Sequence, residues 1–422
     1  SLVSGAMSLF GLRTDLQFGR LKMQLVASQK KSASKSVSSR GGVQLTPFEF
    51  SAADYEENRH YFLAKYFREH YAEGMQSLPN VKTGINIGRV EVWVTNKSGS
   101  TANTRNIVAL TDLGENANIS NTHHWSTLGM TVPSNNANTE YAAMTGSFNA
   151  ARDINQTSSV LDGAGLTGGN DYEKLESARL LTPSEYTVNK ALGFISLNTG
   201  ISTDQVVAVA FEYTYGGQTY QVGEFAADRT NVDEALFVKS LKNTNNVPSQ
   251  GNWNLMMKNV YRLGDTVEKE RFRLDIKYQS DTTGVYLNYI PEPQVKQQSI
   301  VKLLGADRLD NNNRPYSNGY FDYVEGYTVS NGRVFLPEPE PFGDDLYRRL
   351  VSKGVPVAKA KKYVFSELYD NTRTIAKQIA EKDKYELVGQ FRGSSANVIA
   401  LGAYNIPQGS VVVTAGGMRL TE

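Results

Sequence analysis

Cysteine is absent from this chain of 422 residues, which excludes disulfide scaffolds, thiolate metal sites and cysteine nucleophiles. An excess of charge is absent as well, because 44 lysines and arginines are balanced by 43 aspartates and glutamates, for a formal net charge of +1. Proteins that bind nucleic acid usually have a strong basic excess, so this balance gives no support to such a partner. No apolar run approaches the roughly 20 residues that a membrane-spanning helix needs.

Motifs of enzymes and cofactor sites are also missing or incomplete. The chain contains no HExxH, Walker A or GxSxG pattern, and its four histidines, His60, His70, His123 and His124, do not form a zinc motif. Residues 163–168 match GxGxxG, but the residues before them are polar and no βαβ unit surrounds them, so a flexible loop is favoured over a dinucleotide site. These patterns therefore nominate no catalytic residue and no cofactor.

An acidic and amide-rich cluster precedes Arg314. Asp307, Asp310 and Asn312 offer hard oxygen ligands at short spacing, which makes them a candidate calcium site. The spacing differs from that of an EF-hand, and the closing glutamate is missing. Because Asp and Asn are also ordinary turn residues, a simple turn is the alternative, and it is favoured.

Residues 9–28 alternate between apolar and polar side chains, with a break at 19–20. Period two over such a length indicates strands with one apolar and one polar face. The break predicts either a tight hairpin turn or a bulge. Strands of about ten residues with this pattern suit a membrane barrel, but the pattern alone favours the edge of a soluble sheet.

The next three segments differ in type. Aromatic residues at helical spacing predict a helix over 51–75, with Ser51 and Asp54 as its N-terminal cap. Alternating isoleucines and valines predict a strand over 84–95, with a bulge where the alternation slips at a glycine. Residues 96–158 are rich in Asn, Ser, Thr and Ala and have few apolar anchors, so an exposed loop is expected there.

The second half of the chain is predicted to contain both strands and helices. The predicted elements are a helix at 171–181, hairpins at 206–225 and 271–290, helices at 344–351 and 363–383, and strands over 385–415.

A partial repeat lies within this half. Residues 186–188 and 193–197 resemble residues 327–329 and 332–336, and each pair is predicted to form a strand, a turn with glycine and a second strand. Two β-units of similar build are therefore expected.

Segments in order along the whole chain resemble one known family. The most distinctive is 401–411, Leu-Gly-Ala-Tyr-Asn-Ile-Pro-Gln-Gly-Ser-Val. The others are 8–12, 16–19, 48–50, 54–63, 66–68, 89–96, 170–176, 304–309, 340–343 and 367–370. They resemble the SprA/Sov proteins of the Bacteroidetes type IX secretion system, and the similarity is weakest over 96–158.

The resemblance implies a non-catalytic segment of an outer-membrane channel. Members of that family form a giant barrel that passes folded cargo proteins to the cell surface, and in gliding bacteria they export adhesins. The implied partners are the cargo, a small outer-membrane barrel protein, a periplasmic plug protein and membrane lipid. We expect the protein in the outer membrane, with the inserted domains extracellular and the periplasmic side as the alternative.

The resemblance also gives the alternating strands a role as barrel wall. Lipid would then contact the apolar set, and the lumen would contact the polar set. The lipid-facing candidates are Leu16, Phe18, Leu21, Met23 and Leu25, and the lumen-facing candidates are Lys22 and Gln24.

The predicted fold class is mainly β with several helices, in which the start of a large transmembrane β-barrel is followed by β-sandwich-like inserts. Four units are expected. They are barrel strands at 1–42, a helix with a β insert and an Asn-rich loop at 43–170, a β-rich unit at 171–305, and a second β unit with a helical segment at 306–422.

Two other functions remain open at this point. One is a surface adhesin or glycan-binding β-sandwich, which the 23 tyrosines suit because a tyrosine ring can pack while its hydroxyl stays wet. The other is a secreted hydrolase, for which no carboxylate can be nominated. Neither terminus has the features of a natural end, so we expect an internal piece of a longer protein.

Overall fold

The computed structural model describes residues 9–18, 21–30, 45–393, 413–415 and 418–420. The fold is mainly β with several sheets, and strands outweigh helices at 29% against 19% of the residues. The predicted fold class is confirmed in this coarse form. No helix in the described part of the chain is long and apolar enough to cross a membrane.

The strands are β1 Leu9–Phe18, β2 Leu21–Lys30, β3 Leu45–Ser51, β4 His60–Phe62, β5 Asn86–Val94, β6 Thr104–Leu110, β7 Tyr172–Leu180, β8 Tyr186–Asn189, β9 Phe194–Leu197, β10 Val207–Tyr215, β11 Gln218–Val222, β12 Leu236–Lys242, β13 Val260–Arg262, β14 Glu268–Gln279, β15 Tyr286–Leu287, β16 Val329–Ser330, β17 Arg333–Phe335, β18 Tyr385–Arg392, β19 Val413–Ala415 and β20 Met418–Leu420. The helices are α1 Lys65–Glu69, α2 Tyr71–Gln76, α3 Glu140–Thr145, α4 Thr157–Gly163, α5 Ile300–Leu303, α6 Asp344–Ser352, α7 Val357–Ala360, α8 Glu367–Asp370 and α9 Arg373–Ala376.

Strands β1 and β2 pair antiparallel along their whole length, with Phe18 opposite Leu21. Only two residues separate the paired strands, so the hairpin alternative for the break at 19–20 is confirmed.

Five strands close into a ring in the order β5, β10, β12, β6 and β7, because β7 pairs back onto β5. Strand β10 pairs with β5 on one edge, and on its other edge with β12 and then β11. Strands β6 and β12 run parallel, and the other pairs in the ring are antiparallel. The predicted hairpin at 206–225 is β10 and β11.

A small core fills this ring. Its members occupy alternate positions along the strands, and small side chains such as Ala208 and Ala210 leave room for Trp93, which is 1% exposed. The intervening residues, among them Val207 and Val209, belong to the large core outside the ring. Both faces of these strands are therefore apolar, as in sheets covered on both sides.

A four-stranded sheet in the order β15, β14, β18 and β3 joins the beginning of the described body to its end. Leu45 lies opposite Arg392, and one hydrophobic core extends from Phe48 to Phe391. The predicted boundaries at 170/171 and 305/306 therefore do not separate cores: β6 and β7 share the ring, and β14 and β18 share this sheet. Each strand buries its faces against its spatial neighbours, whatever their distance along the sequence.

The predicted repeat corresponds to two three-stranded sheets. Strand β9 lies between β8 and β4 in the first, and β17 lies between β16 and β13 in the second. Tyr61 of β4 is opposite Ile195, and Tyr261 of β13 is opposite Val334. The repeat therefore extends to a third strand that the sequence comparison did not include.

The hydrogen bonds that flank these sheets also correspond. The Leu63 N–H donates to the carbonyl of Gly193 at 3.0 Å, and the Leu263 N–H donates to the carbonyl of Gly332 at 2.8 Å. Both glycines have positive φ, 69° and 73°, a conformation that glycine adopts without strain. The two units therefore share one backbone hydrogen bond at the place where the hairpin meets the third strand.

The helix predicted over 51–75 is wrong as a single element. Ser51 and Asp54 do form a capping box, but it caps only one 3₁₀ turn, after which β4 follows and then α1 and α2. Tyr61 and Phe62 are buried in succession because β4 is covered on both faces. Phe62 therefore lies in a fully buried strand, whereas Tyr66, Phe67 and Tyr71, the next aromatic residues at helical spacing, lie in α1 and α2.

The strand predicted over 84–95 is confirmed as β5, and its pairing with β10 skips Gly88, as expected for a bulge. The exposed loop predicted over 96–158 is wrong, because the range contains α3, the start of α4 and β6, whose residues Ile107 and Leu110 are fully buried. Some of its polar side chains, among them Asp112, Glu115 and Asn138, are buried as well.

Two predicted helices are also wrong. Residues 171–181 form β7, which is needed to close the ring between β6 and β5 and thereby overrides local propensity. Residues 363–383 are divided into the short helices α8 and α9, and Ile375 of α9 is 48% exposed. Helix α6 and the β14–β15 hairpin are confirmed.

Candidate functional site

A polar cleft of about 790 Å³ lies beside α1. Its other walls come from the loops around 118–124, 165–171 and 249–254. Amides and hydroxyls dominate its lining, which includes Asn118, Ser120, Asn121, Thr122, Thr167, Asn170, Ser249, Gln250 and Asn254. The charged lining residues are of both signs, so the cleft has no strong net charge. They are Lys65, Arg68, Glu69 and Asp171.

A buried ion pair holds the loop that forms one wall of the cleft. Lys239 Nζ lies 2.9 Å from Glu115 Oε1, and neither side chain is exposed. The same ammonium donates to the carbonyl of Thr111 at 2.7 Å, and Glu115 also accepts from the backbone N–H of Lys65 at 3.2 Å. Because a buried charge is costly unless it is paired, this contact fixes the loop after β6 against β12.

Asp112 fixes the next stretch of the same wall. Its two carboxylate oxygens accept from the backbone N–H groups of Ser120 and Asn121, each at 2.8 Å. The Asn138 side-chain amide donates to the carbonyls of Asp112 and Glu115 at 2.8 and 3.0 Å. The wall is thus an irregular segment whose polar side chains replace the hydrogen bonds of regular structure.

Glu140, the first residue of α3, lies within this cluster and is 1% exposed. Its Oε2 atom has no hydrogen-bond partner. Burial, together with the carboxylates of Asp112, Asp171 and Glu115, raises the pKa of Glu140 well above its ordinary value, and Lys239 opposes that shift. Its surroundings therefore favour the neutral, protonated form of Glu140 over the charged form.

The side chains at the cleft are arranged for hydrogen bonding. The ring nitrogens of His124 face Asn121 Oδ1 at 3.2 Å and the carbonyl of Ala164 at 3.1 Å. Asp171 accepts from the Thr167 N–H at 2.7 Å. Neither His123 nor His124, the two histidines in the described lining of the cleft, is hydrogen-bonded to a hydroxyl. Away from the cleft, the Ser196 hydroxyl lies 2.7 Å from His60 Nδ1. The geometry suits recognition of a polar surface better than proton transfer.

The other groups noted in the sequence are dispersed. His60 lies in β4 with its Nε2 atom 2.9 Å from Glu56, and the ring of His70 stacks on Tyr66. Residues 163–168 follow α4 and lead into β7, which reverses the strand-to-helix order of a dinucleotide site. In the described ranges, no group of three or more His, Asp or Glu side chains could hold a metal ion.

The calcium candidates Asp307, Asp310 and Asn312 lie in successive turns. Asp307 accepts from the Ser317 hydroxyl at 2.8 Å and from the backbone N–H groups of Asn318 and Gly319. Asp310 Oδ1 accepts from the backbone N–H groups of Asn312 and Arg314. Both carboxylates therefore accept hydrogen bonds from donors of their own loop, as Asp does in ordinary turns.

The lipid- and lumen-facing candidates lie on β1 and β2, of which the structure describes the backbone, while their side chains lie outside the described part. Leu16 is opposite Met23 and Phe18 is opposite Leu21. Directly opposed positions of an antiparallel pair share a face, so the register puts 16, 18, 21, 23 and 25 on one face of the ladder and 22 and 24 on the other.

The sequence interpretation missed the ionic cluster at the cleft. Asp112 and Glu115 lie in residues 96–158, for which the sequence predicts an exposed loop. Lys239 did give a signal, because it interrupts the apolar strand of residues 236–242, and a lysine in such a strand needs a buried partner. The identity of that partner, more than 120 residues earlier in the chain, is not visible in the sequence.

Comparison with known proteins agrees with the resemblance drawn from the sequence. No curated protein matches the chain. A family model, SprA_N, described as motility related/secretion protein, matches residues 3–215, which is half of the chain. The matched range includes β1, β2, the strands β5 to β7 and β10 of the ring, and most of the cleft. The chain therefore belongs to the SprA_N family of motility-related and secretion proteins.

Proposed function

We propose that this chain is a non-catalytic segment of an outer-membrane protein-translocation channel of the type IX secretion system, which exports folded proteins to the cell surface for gliding motility. The observation that supports this most directly is the family match over residues 3–215. The family's description covers motility and secretion, and the resemblance to SprA/Sov proteins adds the channel.

The hairpin of β1 and β2 is the part of the chain that suits a channel wall. Each strand has ten residues, which is the length that a tilted strand needs to cross a bilayer. In the proposed arrangement, Leu16, Phe18, Leu21, Met23 and Leu25 contact lipid, and Lys22 and Gln24 contact the lumen. The β-rich body of residues 45–393 forms sandwich-like inserts at one mouth of the pore, on the extracellular side.

The body would act by its shape and by contacts. The cleft is lined by amides and hydroxyls, and some of these side chains bond between its walls, as Gln250 does to the carbonyl of Gly169 and Asn121 does to Asp171. One wall is fixed by the buried pair Lys239–Glu115. Such a rigid polar surface can hold cargo, the small barrel partner or the periplasmic plug without changing them chemically. No cofactor is required.

A matched pair of substitutions in the full-length parent protein tests the wall. Leu25→Arg, at the fifth of the ten positions of β2, puts a charge where we place lipid, at a cost of about 2–4 kcal/mol near the bilayer centre. Gln24→Arg, one residue before it, puts the same charge in the lumen. We expect Leu25→Arg to reduce the amount of protein in outer-membrane fractions and to retain cargo inside the cell, and Gln24→Arg to do neither. Equal effects of the two substitutions would contradict the assignment of these positions to the lipid face and the lumen face of a barrel wall.

Deletion of residues 45–393 in the same parent tests the body. We expect secreted proteins to accumulate inside the cell while the shortened protein still reaches the outer membrane. Normal secretion by such a strain would refute a role of the body in export.

A glycan-binding surface module is the second candidate, and the lining of the cleft favours it. Hydroxyls and amides are the groups that bind sugar hydroxyls, and the side chains of Thr122 and Asn254 make no hydrogen bond within the described part of the chain. Binding of the purified chain to a glycan array, lost on Asn254→Leu, combined with unimpaired secretion, would support this candidate over the channel.

A further inference from the structure

Two exposed tyrosines lie on one turn-rich loop after α5, residues 307–322, here called the tyrosine loop. Tyr316 is 69% exposed and Tyr320 is 46% exposed. The next two aromatic residues along the chain, Phe321 and Tyr323, are buried and pack on a phenylalanine of β14. The chain thus anchors the end of this loop with one pair of rings and leaves another pair in solvent.

Two buried carboxylates fix the tyrosine loop. Asp307, which is 2% exposed, holds the residues between the two tyrosines through the hydrogen bonds described above. Asp322 accepts from the backbone N–H groups of Arg308 and Leu309 at 2.8 and 2.9 Å, which ties the end of the loop to its beginning. The exposed rings are therefore carried by an ordered backbone, which reduces the conformational entropy that is lost on binding.

A guanidinium group without an anion lies beside these rings. Arg273 Cζ lies 4.1 Å from the centroid of the Tyr320 ring, and Nη1 donates to the carbonyl of Phe272 at 2.8 Å. The Arg273 side chain is exposed and makes no ion pair within the described part of the chain. A guanidinium that is stacked on a ring is already oriented, and its remaining N–H groups match the oxygens of a carboxylate.

The backbone and the side chains of the loop differ in what they leave free. The backbone N–H groups on both sides of Tyr316 are already bonded to Asp310 and Asp307. The side-chain amide of Asn312 is exposed and makes no hydrogen bond to another described residue. The free groups are thus two ring faces, an amide and a guanidinium. They suit a ligand that has flat C–H faces, hydroxyls and carboxylates.

Two other classes of ligand fit this surface less well. An extended peptide is recognised largely through backbone hydrogen bonds, and the backbone donors beside Tyr316 are occupied. Single-stranded nucleic acid needs a positive groove for its phosphates, whereas Glu268 and Glu270 lie on the same strand as Arg273.

We propose that the tyrosine loop binds an acidic polysaccharide, in which pyranose rings carry carboxylates. Tyr316 and Tyr320 contact the C–H faces of the sugars, Asn312 bonds to a sugar hydroxyl, and Arg273 binds a carboxylate. Tyrosine suits this role because it offers a large rigid contact at a low cost in conformational entropy. The surface shares no residue with the lining of the cleft, and the proposal does not rest on the export role, because it is tested on the purified chain.

Fluorescence anisotropy with the 422-residue chain tests the proposal. The probes are two fluorescein-labelled hexamers of galacturonate, one with free carboxylates and the other with all carboxylates methyl-esterified. We expect saturable binding of the acidic probe and about fivefold weaker binding of the ester probe, as for the loss of one exposed ion pair. Labelled hexaglutamate and hexathymidylate, which represent the two other classes of ligand, should not bind below about 1 mM.

Substitutions then locate the binding. Tyr316→Ala should weaken the binding of both sugar probes about fivefold, because a ring face is lost, and Tyr316→Phe should restore it. Arg273→Gln should weaken the binding of the acidic probe alone, so that the two sugar probes bind equally. Tyr286→Ala, at a tyrosine of β15 that is 38% exposed, and Asn254→Leu, in the cleft, are the controls and should leave the affinity unchanged.

Four results would overturn the proposal. They are equal affinity of the natural chain for the acidic and ester probes, affinity unchanged in Tyr316→Ala, binding of hexaglutamate or hexathymidylate as tight as that of the acidic sugar, and loss of sugar binding in Asn254→Leu, which would assign it to the cleft. If Arg273→Gln lowered the melting temperature, the comparison of Tyr316→Ala with Tyr316→Phe would decide, because the Tyr316 side chain is mostly in solvent.

Discussion

Replacing Glu140 by glutamine tests whether the buried cluster beside the cleft retains a proton. The side chain is 1% exposed, its Oε2 atom has no partner, and three carboxylates surround it against one ammonium. Glutamine has nearly the same shape and no charge. Glu140→Gln therefore changes the proton content of the cluster and little else.

The size of the effect follows from proton linkage. The ordinary pKa of glutamate is 4.5, and the unfolded chain follows it, whereas burial raises the pKa in the folded state. Between these two pKa values the unfolded state binds fewer protons, so the free energy of unfolding of the natural protein falls by about 1.4 kcal/mol for each pH unit. The variant lacks this loss. Its advantage should therefore be absent below pH 4.5, grow with pH, and level off above the folded pKa.

Urea unfolding followed by tryptophan fluorescence at pH 5, 6, 7 and 8 measures this difference directly. We expect the two stability curves to diverge with rising pH in favour of the variant. Glu381→Gln, at an exposed glutamate, is the matched control and should leave the curve parallel to that of the natural protein. Parallel curves for Glu140→Gln as well would refute the argument, since Glu140 would then be ionised in the folded protein at neutral pH.

Three further predictions concern substitutions elsewhere in the body. Lys239→Met should lower the free energy of unfolding by about 3–5 kcal/mol in urea, because it leaves Glu115 buried and unpaired; a loss below about 1 kcal/mol would contradict the pair's role. Gly216→Ala should lower the free energy of unfolding by about 1 kcal/mol, because Gly216 has a positive φ of 57°. Gly332→Ala should lower it several times more, because the added Cβ would lie 1.9 Å from a backbone carbonyl oxygen. Equal melting temperatures of the two variants would be inconsistent with this. Burial lowers the pKa of Lys258 to about 7, so the unfolded state binds more protons between pH 7 and 10.5 and stability should rise with pH there; Lys258→Met should remove that rise in urea titrations at pH 7 and 9.

The sequence predicted local features that depend on neighbours in the chain. The hairpins β8–β9, β10–β11 and β14–β15 follow from alternation interrupted by turn residues, and α6 follows from its helical period. The cap formed by Ser51 and Asp54 was also recognisable, because both partners lie within four residues. In each of these cases the residues that interact are close together in the sequence.

Features that depend on distant contacts were not predictable in this way. The ring requires β5 to meet β7 and β10, and the cleft wall requires Glu115 to meet Lys239. A strand covered on both faces, such as β4, loses the alternation that identifies a strand. An irregular segment with inward polar groups has the composition of an exposed loop, because only the fold shows where those groups point.

The opposition of Leu45 and Arg392 has a consequence for how the body could be attached to a longer polypeptide. The chain enters and leaves the body at one spot, about 5 Å apart, as expected for facing residues of an antiparallel pair. The two ends of the body are thus neighbours, as in a domain that is inserted into a loop of another protein. A domain of different size with equally close ends would fit the same insertion point without a change in the host.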